Sequence, residues 1–395
     1  MLAHCALVST LAASFTFPVF TLPLVQDRDP SIGCYFVDLM MGTPARSVRL
    51  MIDTGTDTMT VSHKILGKDS STLTLLRAGD DLWGKVCLSQ PYGTPGTDCI
   101  FQVGYIDKRN SGGQYARDFV RLPDASGKFH KMEFSFGHVT KGVESMVQNS
   151  HGLLGLGLRR EGTHQPPGFL ERLWNNSKDT FSLCFGFGSG RLSIGRANTD
   201  LHFPRARSIS LKSRSTSLDT DFVMELSSVQ VDDILLFSAM KRVPQFTRKV
   251  IFDSGANQIV IPTQLWESLE KAFVTFCTRK PSNCGGHQKL ENTFLFSVGS
   301  NLNALLPTFP QMTFTFFGTK KFVLQPRSYL KRFENRTQSQ LQHSFSPGVD
   351  AENRGYFLFG APFMLGHDFT FDAQNRQITI TPARCETKVI VTNTR

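Results

Sequence analysis

Two tripeptides of one kind, Asp53-Thr54-Gly55 and Asp253-Ser254-Gly255, stand 200 residues apart in a chain of 395, and each closes an apolar run, "VRLMIDTG" and "KVIFDSG". An acid ending such a run is usually a turn former, so one tripeptide alone means little. The pair means more. Each copy follows two apolar residues (Met51-Ile52 and Ile251-Phe252), and each is followed at a similar interval by a second landmark of two apolar residues and a glycine. These landmarks are "GLLGLG", with Gly155 at 102 residues beyond Asp53, and "YFLFG", with Gly360 at 107 beyond Asp253. Internal duplication accounts for all four landmarks. The chain is therefore expected to fold as two related halves, each placing one acid at the end of a strand.

The rest of the sequence agrees with strands. Short β-branched or aromatic segments bounded by Gly, Pro, Asn or Asp recur from "CYFVDLMMG" through "FSLCFGFG", "FVMELSSVQV" and "MTFTFFG" to "RQITIT". Helical periodicity is confined to "QLWESLEKAF" after Thr263, where Leu265, Leu269 and Ala272 or Phe273 share a face, and to "GFLERLW". The expected fold class is all-β. The polar stretch from Arg196 to Asp219 reads as the connection between halves, giving expected units at 26–200 and 201–395.

Composition narrows the function classes. The net charge of +10 favours anionic partners, but Lys and Arg are scattered and form no basic stripe interleaved with aromatics, so nucleic acid is not an expected partner. No G-x-S-x-G elbow, phosphate-binding lysine loop, G-x-G-x-x-G or H-E-x-x-H occurs, and neither a cofactor nor a metal is expected. Residues 1–25 are signal-like: apolar from Ala6 to Val25, with small residues at Ala12 to Ser14 and no acid before Asp27. A basic leader is missing, which leaves an uncleaved anchor or a first buried strand as the alternatives. No other stretch is long enough to span a bilayer.

Beyond Cys5 the cysteines are Cys34, Cys87, Cys99, Cys184, Cys277, Cys284 and Cys385, without C-x-x-C metal spacing. Cys87 with Cys99 and Cys277 with Cys284 close short loops that fit local bridges in an oxidising compartment. The sequons at Asn175 and Asn335 are glycosylation candidates and agree with export.

Taken in order, "YFVDLMMGTPARSVRLMIDTGTD", "GLLGLG", "FSLCFGFG", "RLSIG", "VIFDSG", "FPQMTFTFFG", "FVLQPRSYL" and "LFGAPFMLGHDFTFDAQNRQITITPARC" resemble the pepsin-like aspartic proteases, and most closely their plant-type, nepenthesin-like branch, over residues 30 to 385. The resemblance implies a bilobal double β-barrel with a cleft between lobes. Asp53 and Asp253 would be the catalytic acids, supported by Thr54, Gly55, Thr56, Ser254 and Gly255. Polypeptides would be the substrates, hydrolysed by a water activated between two carboxylates in a monomeric protein of the secretory or vacuolar pathway. A catalytically weak or inactive homologue acting as a binding protein or inhibitor is the alternative.

By the same resemblance Tyr105 and Asp107 belong to a mobile flap, Cys184 pairs with Cys385, and Cys34 is left over. Of the two hydrophobic-hydrophobic-Gly turns near the end, Leu358-Phe359-Gly360 keeps the family's interval to Phe371-Asp372, whereas Gly366 would delete a short helix. The departures are as specific. Ile106, Lys108 and Arg109 replace small flap residues, Thr60 stands where the family has a flap-supporting Trp, and Ala256 stands where it has a hydroxyl. Little chain remains for an inhibitory prosegment, so either none is needed or the sequence is incomplete. Losing a donor at Ala256 leads us to expect a less acid optimum than the family norm.

Overall fold

The computed structural model describes residues 18–27, 33–66, 70–77, 98–104, 109–142, 150–158, 165–174, 180–213, 222–239, 246–279, 284, 287–290, 293–297, 302–318, 320–335, 338–348 and 355–386. Among these the chain forms a 14-stranded sheet, an eight-stranded sheet and a four-stranded sheet. The all-β, two-lobed expectation holds. Helices are few, the principal ones being α1 (Phe169–Trp174) and α2 (Thr263–Arg279). The latter buries Leu265, Leu269, Ala272 and Phe273 along the face that its periodicity predicts.

In the first sheet, β1 (Phe20–Gln26), β2 (Tyr35–Met41) and β3 (Arg46–Asp53) run antiparallel in succession. The strand β4 (Thr60–Ser62) lies two places beyond β3, with β5 (Gly152–Gly155) threaded between them, parallel to β3 and antiparallel to β4. Because β3 is covered on both faces near its end, Leu50, Met51, Ile52 and Asp53 are all buried. Val48, Leu50 and Ile52 alternate into the main core, while Met51 joins Cys34, Phe36 and Leu153 on the other face.

The apolar stretch read as signal-like through Val25, with a first buried strand as an alternative, is a strand from Phe20 onward in this structure. There it is β1, laddered to Ser189–Ile194 from Phe20 through Val25, with Phe20, Leu22 and Leu24 buried. A short alternating apolar run suits a signal and a buried strand equally, and only the pairing partners distinguish them. Residues 1–17 lie outside the described residues.

The second half repeats the plan. The strand β6 (Phe246–Phe252) pairs in parallel with β8 (Gly355–Phe359), and β7 (Ile259–Pro262) pairs antiparallel with β8. The sheets are not confined to one half. Strands His367–Asp372 and Gln377–Pro382 join the first sheet through Thr180–Phe185, and Ile209–Lys212 pairs with Gln377–Pro382. The polar connection thus contains a strand that its composition did not announce. A disulfide between Cys184 and Cys385 fastens the same region, and Cys277–Cys284 closes the loop after α2. Cys99 is disulfide-bonded, while Cys87, its expected partner, lies outside the described residues. Cys34 is buried and forms no disulfide.

Candidate active site

The parallel pairing of β3 with β5 sets Asp53 beside Gly155, and Asp53 O accepts the Leu156 N–H at 2.7 Å. On the other side the Asp253 N–H donates to Phe359 O at 3.1 Å. Both acids therefore leave the ends of central strands with their backbones held. Gly155 and Gly360 are required by close approach. A Cβ on Gly155 would lie 2.6 Å from Thr58 O, and one on Gly360 would lie 2.3 Å from Gln258 O, whereas Gly366 has open space around it. Gly360 is the structural counterpart of Gly155, and the short helix Ala361–Met364 that follows it is present.

Four hydrogen bonds lock the two tripeptides together. The Thr54 N–H donates to Ser254 Oγ (3.0 Å) and the Ser254 N–H to Thr54 Oγ1 (2.9 Å). Each hydroxyl in turn donates across the divide, Thr54 to Phe252 O at 2.8 Å and Ser254 to Ile52 O at 3.1 Å. Both side chains are fully buried, so every bond exchanges a desolvated donor for a fixed partner.

Above this lock the carboxyls cross. The Gly55 N–H donates to Asp53 Oδ1 at 2.8 Å, and the Gly255 N–H to Asp253 Oδ1 at 2.9 Å. A Cβ on Gly55 would nevertheless meet Asp253 Cγ at 2.8 Å, and one on Gly255 would meet Asp53 Cγ at 2.7 Å. Each glycine thus serves its own acid as donor and the opposite acid as floor. Burial pushes the Asp253 carboxyl above the usual carboxylate range, opposed by a hydrogen bond with Asp53 and by the Gly255 and Ala256 N–H groups. Two carboxyls joined in this way hold one proton between them more cheaply than two charges. Such a pair can take a proton with one oxygen and give one with another.

Thr56 contributes its carbonyl, which accepts the Gly157 N–H at 2.7 Å. At the position of the missing Trp, Thr60 is buried and its hydroxyl accepts the Leu153 N–H at 3.2 Å. Tyr105, Asp107 and Asn175 lie outside the described residues, and Asn335 ends the Leu330–Asn335 strand.

Two further groups escaped sequence reasoning. Cys34 places its thiol 4.0 Å from Gly255 O, on the floor of the site. Asp118, fully buried, accepts from Ser70 (2.7 Å), Thr72 (2.5 Å) and the Phe119 N–H (2.7 Å). These bonds tie the turn at Gly42 to the long Asn110–Pro123 strand, because Ser70 Oγ also accepts the Thr43 N–H at 3.1 Å. The side-chain partners of Asp118 are 46 and 48 positions away in the chain and left no local signal. Among the described residues no group of three or more His, Cys, Asp or Glu is arranged to hold a metal ion, and no helix is long and apolar enough to cross a membrane.

Residues 34–383 match the family model described as eukaryotic aspartyl protease. Aspartic proteinase 39 of Arabidopsis thaliana is 23% identical over 344 residues, covering 79% of this chain and 67% of the relative. The acid protease of Saccharomycopsis fibuligera is 23% identical over 368 residues, covering 89% and 81%. In fold, the crystal structure of basic 7S globulin from soybean superposes with a TM-score of 0.71 at 14% identity, over 94% of this chain and 96% of that one.

Proposed function

The chain belongs to the eukaryotic aspartyl protease family, and from that premise we propose that it is an aspartic endopeptidase whose catalytic pair is Asp53 and Asp253. One observation carries the reading: residues 200 positions apart bring their carboxyls into a hydrogen-bonded pair over two glycines that admit no side chain. With one proton on the pair, the ionised carboxyl takes a proton from water as the oxygen attacks the peptide carbonyl carbon. The protonated carboxyl supplies a proton to the carbonyl oxygen. The carboxyl that took the water proton then gives it to the peptide nitrogen, and the other takes a hydroxyl proton back as the tetrahedral species collapses to acid and amine. The Thr54–Ser254 lock keeps the carboxyls from drifting apart, and the glycine amides fix the oxygens that must stay acceptors. The disulfides Cys184–Cys385 and Cys277–Cys284 support residence in an oxidising compartment of the secretory pathway.

A second reading, a binding protein that keeps the lobes without cleaving, draws on the bulky, basic flap sequence Ile106, Lys108 and Arg109. Digestion of an unfolded protein substrate across pH separates the two. The wild-type chain should cleave it, and Asp53→Asn and Asp253→Asn should each lose about 10³-fold or more in kcat/KM while unfolding at an unchanged temperature. Equal cleavage by the Asn variants would overturn the catalytic assignment, and no cleavage by any of the three would favour the binding protein.

A further inference from the structure

The strand β5 braces Asp53 from the inside of the sheet, and the residue leading into it, His151, makes three ties at once. Its N–H donates to Arg49 O at 2.7 Å, and its carbonyl accepts the Ser62 N–H at 2.8 Å. The third tie is unusual. The Arg49 backbone N–H donates to His151 Nδ1 at 3.0 Å. A peptide N–H can only donate, so Nδ1 must carry a lone pair and the proton of the neutral ring must sit on Nε2. A protonated imidazole has N–H on both nitrogens and would set hydrogen against hydrogen at this contact.

The surroundings hold the ring in the required form. Arg49 is clamped by Asp38 through two bonds of 2.8 Å, Nε to Oδ1 and Nη2 to Oδ2. Burial first, and then the Arg49 guanidinium, push the His151 imidazole below its usual range, with Asp38 pulling the other way. Among the described residues these are the charged groups that face it, from β3 and β2. On the β4 side Ser62 brings no charge, and His63 is engaged with Val139 O at 3.0 Å.

We propose that His151 is a positioning residue for Asp53: its neutral ring extends the β3–β5 pairing at Arg49, and protonation releases that amide and slackens the brace. The site thereby acquires an acid limit of its own, independent of the carboxyl pair. The catalytic consequence rests on reading Asp53 as a catalytic acid, whereas the latch is a property of the fold.

The sign follows from linkage. A histidine held neutral when folded takes up its proton more readily when unfolded, so its contribution is full above the ordinary imidazole value of about 6.5. It declines as pH falls toward the folded-state value. His138 and His367 are also pushed down by burial and act in the same direction, so the comparison must isolate His151. The variant His151→Asn does so, because Oδ1 can accept where Nδ1 did and cannot titrate; His151→Leu removes the acceptor altogether.

Thermal unfolding is followed against pH for the full chain and both variants, with kcat and KM on a peptide substrate in parallel. The wild-type midpoint should fall below about pH 6.5 more steeply than that of His151→Asn, and His151→Leu should be low even at neutral pH. Relative to His151→Asn, wild-type kcat should drop by up to about tenfold per pH unit below the folded-state value, with KM little changed. Superimposable wild-type and His151→Asn curves would overturn the proposal even if the protein cleaves peptides. Diverging unfolding curves in a protein that cleaves nothing would uphold the latch and remove only the protease reading.

Discussion

The two acid-bearing strands share a backbone plan and almost nothing else. In the first half Ile52 pairs with Leu154 across the sheet and no aromatic ring pair lies on the acid-bearing strand itself, whose apolar residues are Val48, Leu50, Met51 and Ile52; the brace is closed by a histidine. In the second half Phe252 sits among rings, with Phe359 at 5.7 Å, Phe363 at 5.9 Å, Phe369 at 6.0 Å and Phe316 at 6.2 Å between centroids. The tight points coincide, since Gly157 N–H to Thr56 O (2.7 Å) is answered by Ala361 N–H to Ala256 O (2.9 Å). Duplicated halves thus keep what backbone geometry demands, namely register, glycines and crossed hydroxyls, while the packing beneath diverges. Packing needs volume and apolarity, and many residue sets supply both.

The sharpest way to break the comparison is at the glycines. Gly55→Ala and Gly255→Ala each put a methyl group under 3 Å from the opposite carboxyl carbon. Cleavage should fall by about 10²-fold or more in both, with far-ultraviolet circular dichroism unchanged. If only one variant suffers, the crossing of the carboxyls is not symmetric in solution.

A smaller effect tests the divergence of the cores. Phe252→Ala should cost about 3–5 kcal/mol and Ile52→Ala about 2–5 kcal/mol in denaturant unfolding, with the ring-lined site at the upper end because four aromatic neighbours cannot collapse onto the hole. Equal losses would show that the aromatic cluster adds nothing beyond buried area.

The smallest effect concerns the one asymmetry among the hydroxyls. Ala256→Thr offers a further donor on the Asp253 side, which favours the charged carboxylate. Its raised pKa should then move down, and the acid limb of the pH–rate profile with it, by about one pH unit or less. An unmoved limb would show that burial alone sets the position of the pair.

Much of this molecule could be read before any coordinates. The repeated tripeptides, the later glycines, the strand-rich pattern and the α2 face all follow from local rules, since alternation and backbone permissiveness are written in neighbouring residues. The choice of Gly360 over Gly366 was also legible, from the interval that the family resemblance implies. Less legible was β1, whose alternating residues serve a signal and a strand equally well.

By itself, then, the chain's sequence determined that two similar halves would each carry an acid at a strand end, because each motif is a contiguous stretch with its own conformational demands. Tertiary structure alone decided that Asp53 meets Asp253, that Asp118 binds the Gly42 turn, and that His151 takes a hydrogen bond from Arg49. A hydrogen bond depends on two groups arriving within about 3 Å of each other in the right orientation, and residues 46 to 200 positions apart record nothing locally about who will stand opposite.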